Sequence, residues 1–346
     1  MRPRIGYLHI RRDPLKIRKV YAFQAVAQLE GAELFYFSPR RIHLETKTID
    51  GLVYEGGRYR ERTMPFPDVI YNDSYPRSRG GARLVDALFE VIPRTSHSVG
   101  DKMSVYRRIQ EGKAYAHYLI PSRSVQVAKD VVEYANEHRR IVLKPVVGHQ
   151  GKGIVCVHRQ QDGRYLLISD GESTVHSASQ LAREVDKRLA GSEHLMQPFI
   201  VSKTRDGVTY DFRVHVQKDR HGRWTPTAVY PRLAGRHGPI PNLSSGGQTM
   251  IPNMFFEHEF GDDSSQMRRT LEQFGVGLAE HLEVVSGQAY DELGIDVGLD
   301  ERNRIWLFEV NWRPGPPPIW YLELDVARNA IGYAMYLAES RRRGRK

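Results

Sequence analysis

The chain has 346 residues, 51 Lys or Arg against 41 Asp or Glu for a formal charge of +10, 40% hydrophobic residues and one cysteine. That length buries a full core and divides naturally into two or three domains, and a lone cysteine excludes a disulfide within the chain. No apolar run reaches membrane-spanning length or forms the core of a signal peptide, so a soluble, cytoplasmic enzyme without a membrane partner is expected.

Residues 1–98 read as a small α/β unit. IGYLHI is a strand, KVYAFQAVAQLEG a helix stopping at Gly31, AELFYFS a second strand, the polar alternating stretch to Tyr59 a hairpin, and PDVIYND another strand. GDKMSVYRRIQEG follows as a helix capped by Asp101 or Ser98 and stopped at Gly112, which places Lys102 in a first turn that attracts anions. From about 113 to 196 come the helix VAKDVVEYANEH, two strands around a glycine loop, a strand near YLLIS and the helix SASQLAREVDKRLAG. In RRTLEQFGVGLAEHLEVV, Leu271, Phe274, Leu278, Leu282 and Val285 form one apolar stripe, which is core packing. PGPPP stiffens the chain before an apolar helix near DVARNAIGYAMYLAES. The closing RRRGRK supplies five of the positive charges, so the body is only mildly basic and residues 341–346 read as a solvated tail. Aromatic residues do not interleave with a basic stripe, which argues against nucleic acid.

Two motifs carry chemistry. RRIVLKPVVGHQGKGIVCVHR reads as strand, glycine loop and strand, with Gly148, Gly151 and Gly153 leaving backbone N–H groups free to wrap an anion and Lys144 reaching the same phosphates. It is neither a Walker A loop nor a dinucleotide fingerprint. Cys156 in its second strand is a small core residue rather than a nucleophile, and His149 is a loop side chain rather than a zinc ligand. Later, GIDVGLD and IWLFEVNWRPG flank a polar turn and read as a hairpin. With an even turn centred between Arg302 and Asn303, Asp296 lies opposite Glu309 and the period of two adds Asn311 to that face, leaving Trp306, Phe308, Val310 and Trp312 for the core. Like charges opposite one another call for a counter-ion, and hard oxygen donors suit Mg2+ or Mn2+.

In this order, about 160 residues apart, the two motifs resemble the ATP-grasp superfamily of ATP-dependent carboxylate–amine ligases. Within it, PDVIYND, LKPVVGHQGKGI and FEVNWRPG are most similar to the YheC/YheD endospore coat-associated group, with 99–338 well covered and the first 98 residues loosely. The resemblance implies an N-terminal α/β domain over 1–98 and an ATP-grasp domain over 99–340, with a mobile lid at about 113–196 and a mixed-sheet catalytic subdomain. It implies ATP and Mg2+ (or Mn2+) as cofactors. Lys102, Lys144, Gly148, Gln150, Gly151 and Gly153 would lie on the phosphates, and Gln197, Phe199 and Ile200 in LMQPFI at the adenine hinge. Gln197 stands where many relatives place an acid. Asp296, Glu309 and Asn311 would hold the metal, while Arg213, Arg232 and Asn242, in a segment that also carries Gly246 and Gly247, would face the transferring groups. The activity implied is peptide-bond formation between small-molecule or peptide carboxylate and amine substrates through an acyl phosphate, with coat proteins as further partners. A coat-associated structural protein on the same fold and an ATP-grasp kinase are the alternatives.

Overall fold

The computed structural model describes residues 2–146, 153–169, 172–235 and 247–343. Three sheets follow one another along the chain. The first holds β1 (Arg4–Leu8), β2 (Glu33–Phe37), β3 (Ile42–His43), β4 (Thr48–Glu55), β5 (Arg58–Pro65) and β6 (Val69–Asn72), with β1 parallel to both β2 and β6. Helices α1 (Val20–Leu29) and α2 (Arg79–Val91) pack against this sheet. Both faces of β1 are therefore covered, which is why it reads as a near-continuous apolar run. The expected hairpin is present and runs on past Tyr59 to Pro65: β4 and β5 pair around Gly56 and Gly57, both at positive φ, which a two-residue turn requires. Helix α2 escapes the sequence reading because Gly80 and Gly81 occupy its first turn and lower its local propensity.

Helix α3 (Lys102–Glu111) begins as expected, with Asp101 accepting from the amides of Met103 and Ser104, both at 2.9 Å. The second sheet is wholly antiparallel and contains β7 (Arg123–Ser124), β8 (Arg140–Pro145), β9 (Val155–Arg159), β10 (Tyr165–Ser169), β11 (Glu172–His176) and β12 (His194–Pro198). Its own core is shared with α4 (Ala128–His138) and α5 (Ala178–Leu189).

The third sheet is antiparallel in the order β15-β14-β13-β16-β17, formed by β13 (Tyr210–Lys218), β14 (Trp224–Leu233), β15 (Gln248–Thr249), β16 (Glu292–Leu299) and β17 (Ile305–Asn311). Phe212, Val214 and Val216 alternate toward α6 (Pro252–Phe260) and α7 (Ser264–Ser286), where Leu271, Phe274, Leu278 and Leu282 complete the largest core and Val285 packs at its edge. The opposite face of β13 carries Asp211, Arg213, His215 and Gln217, all buried. Helix α8 (Trp320–Arg343) then returns to the first sheet and packs Ala327, Ala330, Ile331 and Ala334 against α1 and β1. Arg341–Arg343 finish this helix, and Arg342 donates to Asp68 at 2.9 Å, so the basic run does not begin as a solvated tail. Among the described residues no helix is long and apolar enough to cross a membrane.

Candidate active site

The β16–β17 hairpin brings the predicted acids together by a route other than the expected one. Leu299 pairs with Ile305 and Val297 with Leu307, so the turn is odd and centred on Arg302; a bulge between Asp296 and Val297 then absorbs Phe308 and sets Asp296 opposite Glu309. The bulge also reassigns the faces. Ile305, Leu307 and Val310 enter the core with Trp312 against it, whereas Trp306 stays half-buried, donating to Asp300 at 2.9 Å beneath the Arg304 guanidinium.

Asp296 is 5% exposed, yet its charge is already answered. Arg213, its cross-strand neighbour on β13, donates Nε to Oδ1 and Nη2 to Oδ2, the latter at 3.1 Å. Arg232 Nη2 reaches Asp296 Oδ2 at 3.1 Å and grips Asp211 with Nε and Nη2 at 2.7 and 2.6 Å. Asn311 adds Nδ2 at 3.5 Å from Asp296 Oδ2. Two arginines of the chain itself thus stand as counter-ions to Asp296, so the facing acids do not by themselves require a metal. Burial alone would raise the Asp296 carboxyl, but Arg213 and Arg232 hold it below the usual carboxylate range. Burial wins at Asp211, pushing it up to about 6 despite Arg232. Asp211 was missed in the sequence, although alternation in DFRVHVQ places it on the face of Arg213.

Lys102, the first residue of α3, extends Nζ to 3.4 Å from Glu309 Oε1. Lys144, at the end of β8, lies within electrostatic reach of both; burial first, then Lys102, pull it down to about 8 against the opposing effect of Glu309. The second sheet thereby delivers a lysine to acids of the third. Gly153 lies in the turn just before β9 at φ +75°, close to Pro145. Gln197 is buried in β12 and donates Nε2 to Ser122 at 2.5 Å, so its amide turns into the second sheet. Phe199 and Ile200 are half-buried where the chain passes from β12 toward β13, with the Phe199 amide on the Arg140 carbonyl at 2.9 Å. No hydrogen bond or ion pair joins these hinge residues to the acids among the described residues. Gly148, Gln150, Gly151, Asn242 and Gly246 lie outside the described residues.

Asp296, Glu309 and Asn311 present oxygen donors from adjoining strands, the chemistry Mg2+ prefers. They do not form a self-sufficient cage: among the described residues no three His, Cys, Asp or Glu side chains cluster to hold a metal. Around them Lys102, Lys144, Arg213 and Arg232 outnumber the acids Asp211, Asp296 and Glu309. A site of that balance attracts an anion first, and it fits a cation whose remaining ligands are phosphate oxygens.

Comparison with known proteins places the fold and the family. The endospore coat-associated protein YheD of Bacillus subtilis is 26% identical over 353 residues, covering 94% of this chain and 76% of that protein. Among solved structures, the ATP-grasp ligase PsnB complexed with a phosphomimetic variant of minimal precursor, Mg and ADP superposes with a TM-score of 0.58 at 12% identity, covering 96% of this chain and 98% of that one. The D-alanine-D-alanine ligase from Coxiella burnetii gives 0.57 at 10% identity, covering 99% and 98%. The fold is therefore the mixed α/β ATP-grasp fold. The family described as YheC/D-like ATP-grasp matches residues 91–337, and the chain belongs to it.

Proposed function

We propose that the chain is an ATP- and Mg2+-dependent carboxylate–amine ligase working through an acyl phosphate. The observation that carries this reading is the meeting of Lys102, Lys144, Arg213 and Arg232 with Asp296, Glu309 and Asn311 where the second and third sheets adjoin. Lys102 and Lys144 hold the nucleotide's phosphates, Lys102 exchanging Glu309 for a phosphate oxygen. Arg213 and Arg232 are locked in place by Asp296 and Asp211 before any ligand arrives, so they meet developing charge without reorganising. Gln197, Phe199 and Ile200 border the adenine, the loop glycines Gly148, Gly151 and Gly153 with Gln150 cover the phosphates, and Asn242 faces the transferring group. Mg2+ held by Asp296, Glu309 and Asn311 would supply charge neutralisation at the phosphate oxygens. A substrate carboxylate oxygen bonds to the γ-phosphorus as its bond to the bridging oxygen breaks, releasing ADP. The amine nitrogen then bonds to the acyl carbon as phosphate leaves and the nitrogen sheds a proton.

Support comes from the family and from relatives whose names include ligases, one of them solved with Mg and ADP. Mn2+ is an acceptable substitute on the same donors. The name of YheD supports association with spore coat proteins, and synthesis in the cytoplasm belongs to the same proposal. The deciding experiment screens amino acids and short peptides for Mg-ATP-dependent phosphate release. Release that requires both a carboxylate and an amine is the expected result; ADP formation independent of any amine would instead indicate a kinase.

A second reading, a coat-associated structural protein that no longer catalyses, is favoured by one observation: Asp296 and Glu309 are paired with basic residues of the chain itself. Calorimetric titration with Mg-ATP separates the two, because only the ligase requires tight binding.

A further inference from the structure

Just past the last donor of the oxygen set stands a charge that the reaction above does not use. Arg313 follows Asn311 by two residues and lies over Trp312, its guanidinium carbon 4.0 Å from the ring centroid. Its Nε and Nη2, the edge with which arginine grips a carboxylate in two-pronged fashion, are buried and have no hydrogen-bond partner among the described residues. The nearby acids are committed elsewhere. Asp73 is held by Lys19 and by the Tyr7 hydroxyl at 2.6 Å, Asp291 accepts the Ser96 amide at 2.7 Å, and Glu292 bonds His215 at 2.9 Å. A buried guanidinium edge without a partner costs stability, and a protein that retains one has a use for it.

The surroundings indicate that use. His9 and Asp73 directly follow β1 and β6, parallel neighbours, and both lie within electrostatic reach of Arg313 at the carboxyl edge of that sheet, the edge at which parallel sheets hold ligands. The His9 Nδ1 accepts the Arg11 amide at 3.0 Å, which leaves the proton on Nε2, and no described residue takes it. On the other side, the carbonyl of Pro314 accepts from Arg213 Nη1 at 3.2 Å, tying the backbone beside Arg313 to the Arg213–Asp296 pair. We propose that Arg313, assisted by His9, seats the carboxylate-bearing acceptor, an amino acid or peptide, between the first and third sheets. This rests on the ligase reading and names the residue that would select its substrate class.

The test uses the full chain and Arg313→Met. Without ligand, the variant is expected to melt a few degrees higher than wild type, because an unpaired buried charge has been removed; a lower melting temperature would make Arg313 a structural strut and overturn the proposal. Sodium acetate, compared with sodium chloride at equal ionic strength, should raise the melting temperature of wild type and not of the variant, and equal responses overturn it. Mg-ADP affinity should change less than about twofold, whereas KM for the carboxylate in the phosphate-release assay rises at least about tenfold, the loss expected for a charged two-pronged bond. If wild type releases no phosphate with any acceptor, the ligase reading fails while the melting experiments still judge the seat. Should R313M not fold, Arg313→Gln is measured in the same way, and failure of both to fold overturns the proposal.

Discussion

Asp291 and Asp296 bracket the first half of one strand and are equally buried, at 7% and 5% exposure, yet their chemistry is opposite. Asp296 lies between Arg213 and Arg232 and stays ionised. Asp291 has backbone amides for company: it accepts from Ser96, which stitches the exit of the first sheet to the third, and burial followed by the neighbouring Glu292 pushes it up to about 7. Depth is the same in both places, so the supply of cations decides the outcome. Where cations are supplied, the chain holds fixed charges that can be shared with a polyphosphate and its metal. Where they are lacking, it has a proton-linked seam between its first and third sheets.

The comparison breaks most visibly at Asp296. Asp296→Asn leaves two buried guanidinium groups facing each other, and chemical denaturation should show a loss of about 3–5 kcal/mol; a loss below about 1 kcal/mol would mean the arginines do not depend on it. At Asp291 the expected signature is a slope with pH. Its folded value is raised from 3.8 to about 7, so the folded state keeps a proton that the unfolded chain has released; the stabilisation is complete below pH 3.8 and disappears as pH rises through 7. Wild type should therefore lose stability relative to Asp291→Asn by an amount on the order of 3 kcal/mol between pH 4 and 8, and parallel curves would refute the contrast. Glu309→Gln should lower ATP turnover about 100-fold with little change in melting temperature, since its pairing with Lys102 is partly exposed and worth under about 1 kcal/mol. The smallest effect belongs to Lys144. Because its pKa is lowered to about 8, its charge and its hold on phosphate fade as pH rises from 7 to 9. Titration calorimetry should show Mg-nucleotide affinity falling about tenfold over that range in wild type and remaining flat in Lys144→Arg, whose guanidinium keeps its proton.

Much of the architecture was legible because its signals are local. The Asp101 cap, the Gly112 stop and the apolar stripe of α7 each depend on neighbours within a few residues. Helix α2 was not, because glycines at its start mask a stripe whose value comes from packing Val85 and Leu88 on the first sheet. The alignment of Asp296 with Glu309 was reached from an even turn that the molecule does not use; an odd turn and a bulge produce the same facing pair. Arg313 gave no signal at all, since a guanidinium without a partner is recognisable only when everything around it has been placed.

The sequence by itself determined which residue types were available and which of them shared a face: two acids thirteen residues apart and an amide two beyond the second, all on extended strands, basic residues alternating with apolar ones, glycines where the backbone turns. Only the tertiary structure decided who neutralises whom. The partners of Asp296 come from strands more than sixty residues away in the chain, and Lys144 arrives from another sheet altogether. Propensity and periodicity act over a few residues, whereas electrostatic pairing depends on distances that chain folding alone sets.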